Sequence, residues 1–424
     1  MSMLSAEILA VGTELLLGSI ANTNAQMISR SLSGLGVNVF WHTVVGDNPG
    51  RLEEALGIAR KRAEVIITVG GLGPTYDDLT KEIVCRAFGR RLTFRADIAE
   101  ELRTLYETVF RVPMPENNFH QAELPEGCTV FDNPVGTAPG CAFYEDGVHV
   151  LMLPGPPEEC EVMLHRHVEP YLRGLSDEII LSHDILCFGM GESAVDQLLR
   201  DKMSRMKNPS LATYAKPAEM CLRVTAKAKT RDEAEAMLAP VVDEVKEALG
   251  DVVYGVDVSS LEEACKKLLQ ERELSLATAE SCTGGLLAQR MTELPGVSAV
   301  YRGGVVSYWT SVKADVLGVP WALLDEFGAV SEPVARAMAK GVCAVTGAEL
   351  GVSVTGVAGP DVDERGNPVG LVYLGLCTPE GTVCRKLTLG RRKRARIRAL
   401  AANTALDMVR RYLTGLPMEP AGEK

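Results

Sequence analysis

The segment Glu64–Val69 reads EVIITV, an apolar run too short for a helix and lacking the polar alternation of a half-exposed strand. A strand of this kind needs cover on both faces. It passes directly into Gly70-Gly71-Leu72-Gly73-Pro74-Thr75-Tyr76-Asp77-Asp78, and then into a helix-period stretch, Leu79–Phe88. The same order of strand, small-residue loop and helix recurs along the chain. It restricts the fold to α/β with a mostly parallel sheet. Ligands of such folds sit at loops after the carboxyl ends of strands.

The chain has 424 residues, more than one core accommodates at ~100–200 residues per domain. Residues 1–175 read as an α/β/α sheet domain. Its strands are Glu7–Val11, Val37–Val45, Glu64–Val69, Thr129–Phe131 and Val148–Leu153, and its helices are Asn22–Leu35, Pro49–Arg62, Leu79–Phe88 and Glu158–Leu172. Residues 176–257 read β-α-β-β-α-β, with a turn at Lys216–Pro217. The GxxG loop of an RNA-binding KH module is missing there, because Gly189 and Gly191 are too close together, so a spacer or interface role is expected. Residues 258–416 alternate again, with strands Leu274–Ala279, Gly304–Trp309, Gly351–Thr355, Gly370–Cys377 and Thr382–Leu389, and a last helix to about Leu413. Residues 417–424 hold too few apolar side chains to pack and are expected to be a disordered tail.

Composition removes several classes of function. Lys and Arg number 44 against 56 Asp and Glu, a net charge of −12, so nucleic acid is not an expected partner without a local basic patch. No apolar run approaches the ~20 residues that span a bilayer. The 11 cysteines form no CxxC or Cys/His cluster, which points to a reduced, cytoplasmic protein without a zinc centre or disulfide framework.

In the first segment, the glycines after EVIITV allow backbone N–H groups to approach a phosphate, and Asp77 and Asp78 offer oxygen ligands to a hard cation. Helix capping accounts for the same acids. Further loops follow other strands: Gly12–Gly18 with Glu14, then Asn22-Thr23-Asn24; Asn133–Gly140 with Gly136 and Thr137; and Leu153–Glu159 with Gly155. Together they would line one crevice.

In the third segment, Glu280-Ser281-Cys282-Thr283-Gly284-Gly285 joins a strand to a helix. Ser281 and Cys282 are both candidate nucleophiles there, near helix N–H groups that could hold an oxyanion. All six histidines precede this segment, so a Ser-His-Asp or Cys-His site built within it is excluded. Lysine is the usual substitute base, and Lys313, after Val306-Ser307-Tyr308-Trp309-Thr310-Ser311-Val312, is the best placed. It must fall from ~10.4 to ~7–8 to act near neutrality, through burial or a neighbouring cation such as arginine. Thr355-Gly356 through Gly359 follows another strand, and the run Gly390–Arg398 is densely basic, a candidate phosphate or nucleic-acid contact.

These motifs resemble the CinA (competence/damage-inducible protein A) family over nearly the whole chain. TELLLG with NTN, GGLGPTYDD, NPVGTAPG and LPGPPEE are similar to its N-terminal domain, of molybdopterin-binding fold. AESCTGG, GGVVSYWTSVK, VTGVAGP and GRRKRARIR are similar to its C-terminal domain, and the middle segment to its small KH-type domain. The resemblance implies a C-terminal nicotinamide mononucleotide (NMN) deamidase that needs no cofactor, releasing nicotinate mononucleotide and ammonia. Ser281 would be nucleophile, Lys313 base and Tyr308 an assistant. Glu280, Thr283, Gly284, Gly285, Thr355, Gly356 and Gly359 would contact substrate, with Arg392 or Arg396 on its phosphate. It further implies an N-terminal ADP-ribose pyrophosphatase. There Asp77 and Asp78 would hold Mg²⁺ or Co²⁺, and Glu14, Asn24, Gly70, Gly71, Gly73, Thr75, Gly136, Thr137 and Gly155 the nucleotide. A homodimer is the family expectation. The family pattern has a YSN-type triplet where this chain has Tyr308-Trp309-Thr310, and GDR or GTR where it has Gly390-Arg391-Arg392. The alternative function is a non-catalytic pterin or nucleotide binder, or a competence or DNA-damage scaffold.

Overall fold

The computed structural model describes residues 4–175, 178–216 and 218–419. Pro217 of the expected turn and the residues from Pro420 onward lie outside the described residues. By contacts the chain divides into two units, residues 1–181 with 226–236, and residues 182–225 with 237–424.

The first unit contains strands β1 (Ser5–Val11), β2 (Asn38–Val45), β3 (Val65–Val69), β4 (Leu92–Phe94), β5 (Glu123–Pro125), β6 (Thr129–Phe131), β7 (Gly140–Glu145) and β8 (Val148–Leu153). Six form one sheet in the order β2-β1-β3-β8-β7-β6, while β4 and β5 pair separately. The first four are parallel, and β7 and β6 add antiparallel edges. The Asp146-Gly147 hairpin produces this reversal, with positive φ at both residues (50° and 85°). That Asp-Gly signal and strand β7 are absent from the expected element list. Alternate residues of β3 enter different cores: Ile66 packs with Leu9, Met152 and Leu56, whereas Val65 and Ile67 pack with Ile8, Ile28 and Leu164. Both faces are therefore covered, as EVIITV requires. Because β6 and β8 run in the same direction, the four small-residue loops all leave from one sheet edge.

The middle segment has β9 (Ile179–Cys187), β10 (Ser210–Lys216), β11 (Glu219–Ala228) and β12 (Val253–Val256), ordered β10-β11-β9-β12. Leu186, Phe188, Cys221 and Tyr254 from this segment share a core with Leu276, Ile397 and Leu406 of the third. Arg410 donates to the Val253 and Asp251 carbonyls, and Arg411 pairs with the Asp251 carboxylate.

The third segment has β13 (Leu276–Glu280), β14 (Tyr301–Val306), β15 (Leu350–Gly356), β16 (Leu371–Thr378) and β17 (Gly381–Thr388), ordered β14-β13-β15-β16-β17. The first three are parallel, and β16 and β17 are antiparallel. Strand β14 begins and ends earlier than Gly304–Trp309. Gly303 and Gly304 lie inside it because a Cβ at Gly304 would sit 2.3 Å from the Thr278 hydroxyl of the adjacent strand. The last helix runs Arg394–Thr414. The expected loose tail starts late: Pro417 accepts a hydrogen bond from Arg411, and Met418 packs on the core. Among the described residues no helix is long and apolar enough to cross a membrane.

Candidate active site

Strand β13 ends at Glu280, where the chain turns into the helix Leu286–Thr292. Gly284 and Gly285 make that turn with φ of 58° and 93°, a backbone costly for any residue with a Cβ. Ser281 is half-buried at the turn. Strand β14, hydrogen-bonded alongside, ends at Val306 and delivers buried Ser307, then Tyr308, then the helix Thr310–Asp315 that carries Lys313.

The Lys313 side chain is 1% exposed. Its amine lies 3.2 Å from Ser281 Oγ, 2.6 Å from the Ser307 carbonyl and 3.4 Å from the Tyr308 carbonyl. Burial lowers its pKa from 10.5 to about 8. No neighbouring arginine is needed; exclusion from water disfavours the ammonium by itself. Cys282 is buried, and burial pushes its thiol up to about 11, so it holds little thiolate at neutrality. Of the two candidate nucleophiles, Ser281 is therefore the one positioned against a base.

Several expected contacts are placed differently. Glu280 is 1% exposed, and its carboxylate accepts from the Gly285, Leu287 and Ala288 amides. It caps the helix rather than facing substrate, and it consumes most of the expected oxyanion donors. Gly284 N–H is used by the Ser281 carbonyl, and Leu286 N–H by that of Thr283. The Thr283 amide is left without an acceptor among the described residues, and its buried hydroxyl also lacks a partner. Thr355 and Gly356 belong to β15, not to a loop, and the Thr355 hydroxyl donates to the Ala329 carbonyl. The Tyr308 phenol is exposed, and only its carbonyl touches the lysine.

The arginines also differ. Arg392 lies before the last helix and donates to the Leu389 carbonyl. Arg396 is exposed, without a side-chain partner among the described residues. Instead Arg394 donates to the Gly359 carbonyl (2.6 Å) and the Tyr308 hydroxyl (3.1 Å), and Arg398 to the Thr283 carbonyl (2.6 Å). Residues four apart share a helix face, while Arg396 points about 200° away from Arg394. The Arg398 Nε is buried and has no partner among the described residues.

In the first unit, Asn24 donates to the Gly155 carbonyl (2.7 Å), while its buried Oδ1 has no partner among the described residues. Glu14, Asn24 and Gly155 line one small recess. Gly73, Thr75 and Asp78 line a second, larger one. The Thr75 hydroxyl lies within hydrogen-bond distance of both Asp77 and Asp78 and has one proton to give, while the Thr75 N–H donates to Asp78, so the turn engages one oxygen of each acid. Gly70 and Gly71 have φ of 102° and 70°, and a Cβ on Gly71 would strike the Thr80 hydroxyl. Gly136 packs against Glu159, and the Thr137 hydroxyl accepts from Gln121.

Family models match three stretches: "CinA C-terminal domain" over residues 258–413, "Probable molybdopterin binding domain" over 7–174, and "Damage-inducible protein CinA KH domain" over 182–255. A CinA-like protein of Kosmotoga olearia is 44% identical over 97% of this chain and 100% of its own length. One from Desulfovibrio desulfuricans is 47% identical, over 98% and 97%.

The chain belongs to the CinA family.

A crystal structure of the protein CinA from Thermoplasma acidophilum, described as having unknown function, is 32% identical and covers 40% of this chain and 98% of its own, with a TM-score of 0.37. Membership accounts for the architecture: a molybdopterin-binding-like α/β domain, a KH-like middle domain and a CinA C-terminal domain, a set compatible with an enzyme.

Proposed function

We propose that the C-terminal domain of this CinA-family chain hydrolyses the carboxamide of NMN. The observation that carries the reading is the buried Lys313 amine, with its pKa lowered to about 8, 3.2 Å from Ser281 Oγ. Neutral Lys313 accepts the Ser281 proton as Oγ bonds to the carboxamide carbon. The Cys282 and Thr283 amides, which have no backbone acceptor among the described residues, are the candidate donors to the resulting oxyanion. Collapse breaks the C–N bond, and the lysine proton leaves with the amine as ammonia. Water then adds to the ester with Lys313 again as base, releasing the carboxylate and restoring Ser281. Arg394 and Arg398 provide the cationic face for the nucleotide phosphate.

Ammonia release from NMN, without added metal, tests this. Wild type should release it and Ser281→Ala should not. Equal release by a folded Ser281→Ala variant would end the assignment.

A second reading concerns the N-terminal domain. Its four loops at one sheet edge and the unpartnered Asn24 Oδ1 favour a nucleotide ligand, and we assign a metal-dependent ADP-ribose pyrophosphatase there. Turnover of ADP-ribose that is insensitive to EDTA would count against it.

A further inference from the structure

We infer that Glu82, His120 and Glu123 bind a first-row transition dication at the recess lined by Gly73, Thr75 and Asp78. The three side chains each offer one ligand atom, and these atoms lie within 4.8 Å of one another. They come from separate elements. Glu82 is on the helix Thr80–Ala87, His120 in the 3₁₀ turn Glu116–Ala122, and Glu123 opens β5. His120 Nδ1 and Glu123 Oε2 are 3.3 Å apart. Donors on one tetrahedral ion at ~2.0–2.1 Å stand about 3.3 Å from each other. The His120–Glu123 separation already has that length, and the Glu82 carboxylate lies within 4.8 Å of both.

The donor set indicates the ion. Two carboxylates balance the charge of a dication, and an imidazole favours a later first-row ion such as Co²⁺ or Zn²⁺ over the oxygen-seeking Mg²⁺, Mn²⁺ and Ca²⁺. This differs from the Asp77–Asp78 pair that the sequence suggests.

A second feature of the recess points to an anion. The cavity holds about 520 Å³, and Lys81 lines it beside the three donors. Lys81 is 5% exposed, and its amine donates to the His120 carbonyl. The Lys81 amine and a dication on one wall would both attract an anionic ligand. A diphosphate supplies oxygens to both. This substrate class rests on the pyrophosphatase reading, whereas the metal site stands on the donor geometry alone.

The test is a Co²⁺ titration of the full-length chain without nucleotide, followed by calorimetry and by the visible d–d absorption of the bound ion. Wild type should bind one Co²⁺. His120→Ala and Glu123→Gln should each weaken binding at least ~10-fold, and Asp77→Asn should leave it unchanged. The inference is overturned if wild type binds no Co²⁺, if His120→Ala keeps wild-type affinity and spectrum, or if only Asp77→Asn loses the ion. ADP-ribose turnover is measured separately. Co²⁺ lost on His120→Ala in a chain that never cleaves ADP-ribose would support the metal site and remove only the substrate reading.

Discussion

Replacing Lys313 by methionine separates the lysine's proton chemistry from its bulk. In the folded chain the amine titrates near 8, and in the unfolded chain near the ordinary 10.5. Between those values the unfolded state holds more protons. The lysine's contribution to stability therefore rises with pH across that window, and is flat below it. The drop is worth about 3 kcal/mol. Lost hydrogen bonds to the Ser307 and Tyr308 carbonyls shift the variant's stability by a constant, so the readable quantity is the change with pH. Urea unfolding of both proteins should give a wild-type-minus-variant difference that grows by about 3 kcal/mol between pH 7 and pH 10.5. NMN deamidation by wild type should climb as the amine deprotonates and level off above about pH 8. The variant should lose ~10²–10⁴-fold in rate, the usual contribution of a general base. A pH-independent stability difference, together with a rate that is level from pH 6 to pH 9, would mean that the amine is solvated. The base assignment would then fail.

Three further outcomes follow from the same geometry. Arg398→Ala and Arg394→Ala should raise KM for NMN by ~10–100-fold, as expected for charge-assisted hydrogen bonds, while Arg396→Ala should leave it near wild type; steady-state kinetics on the three variants decides. Glu280→Ala strands the Gly285, Leu287 and Ala288 amides and should cost about 2–4 kcal/mol in denaturant unfolding, so a change within error would show that water caps the helix as well. Asp407→Ala takes the carboxylate from the buried Arg410 guanidinium and leaves Arg411 with that of Asp251 alone, and should destabilise the second unit by about 3–5 kcal/mol, with a melting curve like wild type counting against it.

The strand–loop–helix order was readable because it is written in neighbouring residues. EVIITV specifies a doubly covered strand wherever it occurs, and Gly284-Gly285 specifies a tight turn. Missing β7 has an equally local cause. Its residues, Gly140–Glu145, begin with glycine and pass directly into the Asp146-Gly147 hairpin, whose turn chemistry marks an antiparallel return that the βα rhythm obscures. Strand β14 was shifted for the opposite reason. Paired glycines look like a break, yet at Gly304 the approach of Thr278 from the adjacent strand requires one.

Sequence by itself determined the set of chemical groups in the third domain. A serine and a cysteine at a strand-to-helix turn, a downstream lysine and no histidine leave two candidate nucleophiles and a lysine base, because composition limits which bases exist at all. Tertiary structure decided which groups meet. It buried Lys313 beside Ser281 while raising the neighbouring Cys282 thiol. It turned Glu280 onto the helix amides, set Arg394 and Arg398 on the facing side of the last helix, and brought Glu82 to His120 and Glu123. Each of these depends on exclusion from water or on the partner that packing supplies. Both are properties of residues distant in the chain, and no local pattern encodes them.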